Sequence, residues 1–380
     1  MKPLLVHHED LFGYCLGDTH PMGPDRVRLT MCLAEHFGLL NLFDIEQPAA
    51  LTPGTLEKVH TPAYLAALFD GQAHPEHGIG TEDNPLNLAI PPVALQIVAA
   101  TVHATRAVWN GDRQRAVNVA GGLHHAQADA MHGFCMLNDA AVAIAWLLEN
   151  GAQRVAYLDL DAHHGDGVEQ LFWDDPRVLT VSAHESGLYL FPGTGFAHDI
   201  GGPSAAGTAV NIALDRGTAD LAWLRTIHGI IPPILERFRP EILITQHGAD
   251  PHRTDPLADL DLSLDALALA YRSVRSWAER YAQGRWVALG GGGYERDTAA
   301  RVWTALLGAV ADVEFAPTWA MPTHWRALVR GKASRTFGDP GAAEGLRDFH
   351  PEARVEARRE APMIATSRAV FPYWGLPPYT

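Results

Sequence analysis

In the stretch Val155-Ala156-Tyr157-Leu158-Asp159-Leu160-Asp161-Ala162-His163-His164-Gly165-Asp166-Gly167, an apolar run gives way within a few residues to acids, histidines and glycines. Residues 155–160 read as a short strand buried on both faces of a parallel sheet. Side chains alternate along a strand, so Asp159, Asp161 and His163 are predicted to share one direction. Two carboxylates and an imidazole on one face of an apolar strand repel or sit idle unless a cation joins them. A divalent metal that accepts oxygen and nitrogen ligands, zinc or iron, fits that set.

Outward from this strand, similar apolar runs occupy Leu4–Val6, Trp286–Leu289 and residues 115–119, 178–181 and 242–245. Helix-like stretches separate them at 92–110, 139–150, 220–238 and 264–283, the second stopping at Asn150-Gly151, a helix-end signal. This alternation predicts an α/β fold of βαβ units: a mostly parallel sheet with right-handed crossovers and helices on both faces. Residues 315–320 and 367–380 are rich in proline and aromatics, and 352–360 are heavily charged. The expected organisation is one catalytic domain over residues 1–310 and an irregular extension over 311–380 packed on it.

The 380 residues are 47% hydrophobic and 19% charged, enough for a sizeable core and unlike a disordered chain. Twenty-nine basic against 44 acidic residues give a net charge of −15, which argues against a nucleic-acid partner. Three cysteines without a CxxC pair point to a reduced, intracellular setting. The N-terminus turns polar after three apolar residues, and the longest apolar run spans nine. A cytoplasmic protein with no membrane partner is expected. Nothing in the sequence reads out the oligomeric state.

Polar clusters follow the strand candidates: Gly121-Gly122-Leu123-His124-His125 after the run at 115–119, the Asp161–Gly167 segment after 155–160, Ser182-Ala183-His184-Glu185 after 178–181, Gln246-His247-Gly248-Ala249-Asp250 after 242–245, and Gly290-Gly291-Gly292-Gly293-Tyr294 after Trp286–Leu289. One such loop is ordinarily a solvated turn. Five at the carboxyl ends of parallel strands, where α/β sheets bind ligands, predict one pocket. Asp250, between small residues, is the best candidate third ligand. His124 and His125 could supply the base a catalytic metal site needs, with Asp159 and Asp166 orienting the imidazoles. Tyr294, carried by a glycine run, could donate to a developing oxyanion. The tetraglycine lacks the spacing of a dinucleotide fingerprint, and Cys135 reads as a small buried residue rather than a nucleophile.

Taken together, His20-Pro21-Met22 with Arg26, Gly121–Ala126, Gly133-Phe134-Cys135 through Asn138-Asp139, Asp159–Gly167, Phe191–Gly195, Gly248-Ala249-Asp250 and Gly290–Tyr294 resemble, in order, the motifs of the metal-dependent histone deacetylase superfamily, above all its bacterial acetoin-utilisation deacetylases. The resemblance covers roughly residues 5–300. It implies an arginase-like α/β fold with an eight-stranded sheet and a zinc, or ferrous iron, held by Asp161, His163 and Asp250. It places His124 and His125 beside the reactive water, backed by Asp159 and Asp166, and gives Tyr294 the acyl carbonyl. Gly133, Phe134, Phe191 and Gly292 would line a narrow tunnel, Leu257 deeper in it and Asp83 at its rim. Asp159, Asp161, His163, Ser182 and Ala183 match one K⁺ or Na⁺ site and Phe172, Asp175 and Val178 a second; Arg26 matches an arginine near an acetate exit. A cation beside Asp159 would favour neutral His124, leaving His125 to hold the travelling proton.

The implied activity is removal of acetyl or another short acyl group from lysine side chains of proteins or peptides. An acetylpolyamine amidohydrolase on the same fold is the alternative, kept open by Glu82 and Asp83 near the mouth. An arginase-like two-metal enzyme would need a further bridging ligand set. A catalytically dead binding module would be expected to have lost Tyr294, a ligand or a histidine of the pair. A structural zinc site would be closed by four cysteine or histidine ligands.

Overall fold

The computed structural model describes residues 1–17, 19–329, 331–347, 349–350 and 359–380; of the charged stretch 352–360, residues 352–358 lie outside the described residues. Eight parallel strands form one sheet: β1 (Leu4–Val6), β2 (Asp44–Glu46), β3 (Arg115–Asn118), β4 (Val155–Asp159), β5 (Val178–Glu185), β6 (Ala209–Leu214), β7 (Ile242–Gln246) and β8 (Trp286–Leu289). Their order is β2-β1-β3-β8-β7-β4-β5-β6.

All six predicted strands are present, β1 and β8 with the predicted ends and the other four with shifted ones. β4 stops at Asp159, one residue short of the predicted run, and β5 runs four residues further, to Glu185. Two strands escaped the reading. β2 is three residues long with a mostly exposed, charged sequence at the sheet edge, and β6 carries a polar Asn211 in its middle. Neither is a continuous apolar run.

The helices are α1 (Asp25–His36), α2 (Pro62–Phe69), α3 (Ile90–Trp109), α4 (Asp139–Glu149), α5 (Asp166–Leu171), α6 (Asp220–Phe238), α7 (Leu264–Tyr281), α8 (Arg296–Ala311), α9 (Thr323–Leu328), α10 (Ala342–Leu346) and α11 (Ala361–Val370). Asn138 caps α4 by accepting the Ala141 N–H, and Ser263 caps α7 from the Ala266 N–H. Gly151, just past the end of α4, is left-handed, as the Asn150-Gly151 signal anticipates.

Strand side chains alternate between two cores. Leu5, Val117, Leu158, Val181 and Leu243 face α1, α6, α7 and α8, whereas Leu4, Val6, Tyr157, Ile244 and Val287 face α2, α3 and α4. Burial on both faces is why these strands read as unbroken apolar runs. No helix among the described residues is long and apolar enough to cross a membrane. Beyond residue 311, Trp325 of α9 is fully buried and donates its indole N–H to the Leu29 carbonyl at 2.8 Å, and α11 lies along β6.

Candidate active site

Parallel strands send all their carboxyl ends to one side, and the loops there converge. Because β4 ends at Asp159, Asp161 and His163 lie beyond the strand, and strict alternation does not hold there. The Asp159 carboxylate accepts from Tyr157 Oη at 2.8 Å and reaches His124 Nδ1 at 2.7 Å. Asp161 and His163 instead turn toward Asp250. His163 Nδ1 lies 3.1 Å from Asp161 Oδ1 and 3.0 Å from Asp250 Oδ2. The expectation that all three side chains of the run share a direction therefore holds for Asp161 and His163 and fails for Asp159.

Each carboxylate is anchored by its other oxygen. Asp161 Oδ2 accepts Gln246 Nε2 at 2.6 Å and the Gly292 N–H at 2.9 Å, and Asp250 Oδ1 accepts the Ala162 N–H at 2.9 Å. Asp161 Oδ1, Asp250 Oδ2 and His163 Nδ1 are left facing one point, all three residues buried. Glycine is required around them: a Cβ on Gly248 would stand 2.2 Å from Asp161 Oδ2, and one on Gly292 2.1 Å from Asp250 Oδ2.

Electrostatics shows what the cluster lacks. Burial, and then the charge of Asp161, raises Asp250 to about 7. Burial opposes a charged imidazole, but hydrogen bonds to Asp161 and Asp250 raise His163 to about 10. Two buried carboxylates this close cannot both stay ionised without a cation beside them. Two carboxylates and one imidazole, three donors rather than four, suit a catalytic divalent metal, which keeps a coordination position for water.

The paired histidines stand beside this cluster. His125 Nδ1 is 2.6 Å from Asp166 Oδ1, and the two Nε2 atoms are 3.1 Å apart. The pair cannot easily hold two protons. Although burial works against it, Asp159 and Asp161 raise His124 to about 9; burial and the charge of His124 push His125 down to about 3. The loop is fixed by α4: Asp139 accepts the Gly122 and Leu123 N–H groups, and Asn138 Nδ2 donates to the carbonyls of His124 and Ala126.

Tyr294 crosses edge-on to His163 at 6.4 Å and to Phe134 at 5.9 Å between ring centroids. Burial, with Asp250 and Asp161 nearby, keeps its hydroxyl protonated and hence a donor. Phe191, 42% exposed, packs edge-on to His125 at 5.1 Å. Phe134 has φ +66°, and a Cβ on the preceding Gly133 would strike the His125 ring at 2.4 Å and Phe191 at 2.8 Å. These aromatics wall the approach to the histidines.

The remaining expected residues are placed as follows. Asp83 is exposed, its carbonyl 3.2 Å from His20 Nε2. Leu257 is half-buried, its N–H on Asp255 Oδ1, whose other oxygen takes the Tyr294 N–H at 2.7 Å. Ser182 pairs in register with Asp159, and the next residue, Ala183, is buried. Phe172, Asp175 and Val178 mark two successive turns, in which the Asp175 N–H bonds the Phe172 carbonyl and the Val178 N–H that of Asp175. Arg26 is buried behind Tyr294, donating to the carbonyls of Gly291 and Gly293 at 3.0 and 3.1 Å. Cys135 is buried and unpaired.

Sequence reasoning missed four supporting residues. Gln246 holds Asp161, Asp255 holds the Tyr294 loop, Asn84 Oδ1 accepts the Phe134 N–H at 3.0 Å, and His132 lies 3.1 Å from Asp166. Gln246 could have been found from its place at a strand end between an apolar run and Asp250; the others carry no local signal.

A family model of the histone deacetylase domain matches residues 20–310. The chain belongs to the histone deacetylase family. Acetoin utilization protein AcuC of Bacillus subtilis is 34% identical over 82% of this chain and 86% of its own, and that of Staphylococcus xylosus 31% identical over 84% and 85%. A crystal structure of an HDAC homologue complexed with SAHA superposes with a TM-score of 0.80 at 30% identity, covering 90% of this chain and 95% of that one. An HDAC homologue from Aquifex aeolicus gives 0.79 at 30% identity, covering 89% and 95%. The eight-stranded α/β fold is thus that of histone deacetylase homologues, and the protein is an AcuC-like hydrolase of this family.

Proposed function

We propose that this hydrolase cleaves the amide between an acetyl, or another short acyl, group and the side-chain nitrogen of lysine in a protein or peptide. The observation that carries this reading is the pair of buried histidines, each backed by its own carboxylate, beside the convergent Asp161, His163 and Asp250 at the floor of an aromatic approach. Those three residues would hold zinc, or ferrous iron, which accepts the same donors. The ion supplies Lewis acidity, polarising the scissile carbonyl and making water easier to deprotonate.

His125 receives the proton of the attacking water at Nε2, since Asp166 holds Nδ1. Water oxygen joins the carbonyl carbon, the C–N bond breaks, and His125 returns the proton to the leaving amine. Tyr294 donates its hydroxyl hydrogen to the oxygen on which negative charge develops. His124, tied to Asp159, stabilises the site without leaving its carboxylate. Phe134, Phe191 and Gly133 admit an extended methylene chain, with Gly292 and Leu257 beside Tyr294, and exposed Asp83 faces the substrate backbone. Arg26 lies where the released acid would leave. K⁺ or Na⁺ would sit between the end of β4 and β5, at Asp159, Asp161, His163, Ser182 and Ala183, and at Phe172, Asp175 and Val178 before and at the start of β5. A cytoplasmic setting fits the three unpaired cysteines. The described residues after 311 serve as an extension packed on the catalytic domain.

Purified enzyme assayed on acetyl-lysine peptides and on acetylpolyamines tests the reading. Peptides should be preferred in kcat/KM by about tenfold or more, worth about 1.4 kcal/mol of transition-state binding. The reverse preference would make the protein an acetylpolyamine amidohydrolase, the reading that the exposed acids Glu82 and Asp83 favour.

A further inference from the structure

On the solvent side of the histidine pair, a second group of donors gathers. His125 Nδ1 is 2.6 Å from Asp166 Oδ1, and His132 Nδ1 is 3.1 Å from Asp166 Oδ2. The latter two atoms are close but not aligned: His132 Nδ1 is inaccessible to solvent and has no hydrogen-bond partner. One donor atom from each of His125, His132 and Asp166 lies within 4.8 Å of the others. The His132 side chain is 37% exposed and packs at a tilt against Phe191, ring centroids 4.8 Å apart, so the group opens to solvent beside that aromatic. Gln127 Nε2 steadies Asp166 Oδ2 at 3.0 Å and the His125 carbonyl at 3.0 Å.

We propose that His125, His132 and Asp166 form a second divalent-cation site of the zinc type at the tunnel mouth, and that filling it silences the enzyme. Two imidazoles and a carboxylate are a common donor set for zinc, with water able to complete it from the open side. The group brings one carboxylate where the inner cluster brings two, so it binds more weakly, and excess metal is needed to fill it. The silencing, which rests on His125 acting as proposed above, follows from ring chemistry. A neutral imidazole carries one proton. A cation taking Nδ1 displaces the hydrogen bond to Asp166 and moves that proton to Nε2, the nitrogen that must be bare to accept the water's proton. No proton is lost from the ring; it occupies the wrong nitrogen.

Metal-free wild type titrated with Zn²⁺ by calorimetry, and with Co²⁺ by its visible absorption, should bind two equivalents of different affinity. Losing an outer partner of a metal ligand already costs about 10–100-fold in affinity. His132→Ala should therefore weaken the looser class by at least about that much, leaving the tighter intact. Asp250→Asn should do the opposite. In the wild type, excess Zn²⁺ should inhibit turnover, and in His132→Ala the inhibitory concentration should rise in step with the looser affinity. A single equivalent in the wild type, or two unchanged classes in His132→Ala, overturns the mouth site. A tight class that survives Asp250→Asn overturns the inner ligand set instead, so the two readings fail separately. Unchanged inhibition after loss of the looser class refutes the silencing.

Discussion

Gly292 has no side chain because the Asp161 and Asp250 carboxylates occupy the space one would fill. That crowding makes the centre sensitive to single atoms. Asp250→Asn keeps the shape, removes one charge and should lose bound metal and turnover together, read by metal analysis and assay on the same sample. Tyr294→Phe deletes one hydroxyl; loss of one oxyanion donor typically costs about 10²–10³ in kcat, so a fall of less than about fivefold would remove Tyr294 from that role. For the histidines, His125→Ala should abolish measurable turnover and His124→Ala leave a residual rate, both retaining metal. Without K⁺ or Na⁺ beside Asp159, Asp159 and Asp161 raise His124 to about 9 and its positive charge holds the pKa of His125 down, so at low K⁺ removing His124 relieves that hold. The His125 pKa then rises, the neutral form it needs is lost at higher pH, and the acid limb of the kcat/KM profile should move upward. A limb that stays put or moves down would reverse the assignment. The convergence of Asp161, His163 and Asp250 beside the histidine pair was legible because dense runs of His, Asp and Gly are rare in an apolar context. His132, Asn84 and Asp255 were not, because a lone polar residue acquires meaning only from a partner distant in sequence.

Among elements, the start of α4 carries the most. Asp139 accepts from Thr101 Oγ1 at 2.6 Å as well as from the Gly122 and Leu123 N–H groups, tying α3, α4 and the histidine loop together. Asp139→Ala leaves three buried donors unsatisfied, at about 1–3 kcal/mol each before relaxation. A lower midpoint in denaturant and a fall in kcat larger than the change in KM should result; an unchanged kcat would show that the loop holds itself. The sheet interior was readable because strands buried on both faces have one consistent composition. Its edges were not. β2 spends charged residues on solvent, and β6 keeps Asn211, whose Nδ2 donates to Glu169 at 2.7 Å, a tertiary need with no local trace.

For the whole molecule, the outer edge of β6 is the vulnerable border. The Thr180 N–H bonds the Thr208 carbonyl and the Ser186 N–H that of Leu214, so even-numbered carbonyls face β5 and that of Asn211 faces outward. Thr366 of α11 donates its hydroxyl to this carbonyl at 2.7 Å, and Tyr379 Oη reaches the Gly229 carbonyl at 3.0 Å. An uncovered edge strand invites pairing with another chain. Removing residues 359–380 should produce soluble aggregates by light scattering, and Thr366→Val should lower stability by about 1–3 kcal/mol without altering bound metal. Equal solubility of the truncated chain would show that the edge needs no cover. The proline- and aromatic-rich composition of the last residues suggested an irregular segment, yet α11 runs to Val370 and a 3₁₀ turn follows at Phe371–Trp374, and the composition did not tell what they shield.

β8 lies between β3 and β7, although it is the last strand made. At about 5–20 residues per second, the ribosome leaves that slot in the sheet unfilled for on the order of ten to thirty seconds after β3 emerges. Asp161 and His163 are synthesised early, yet Gly292, whose amide steadies Asp161, arrives only after the final strand. A nascent chain thus has no finished pocket in which to trap an ion. The proposed metal would therefore enter only once residue 292 has been made, and a chain stalled before that point would lack both the last strand and the amide that steadies Asp161.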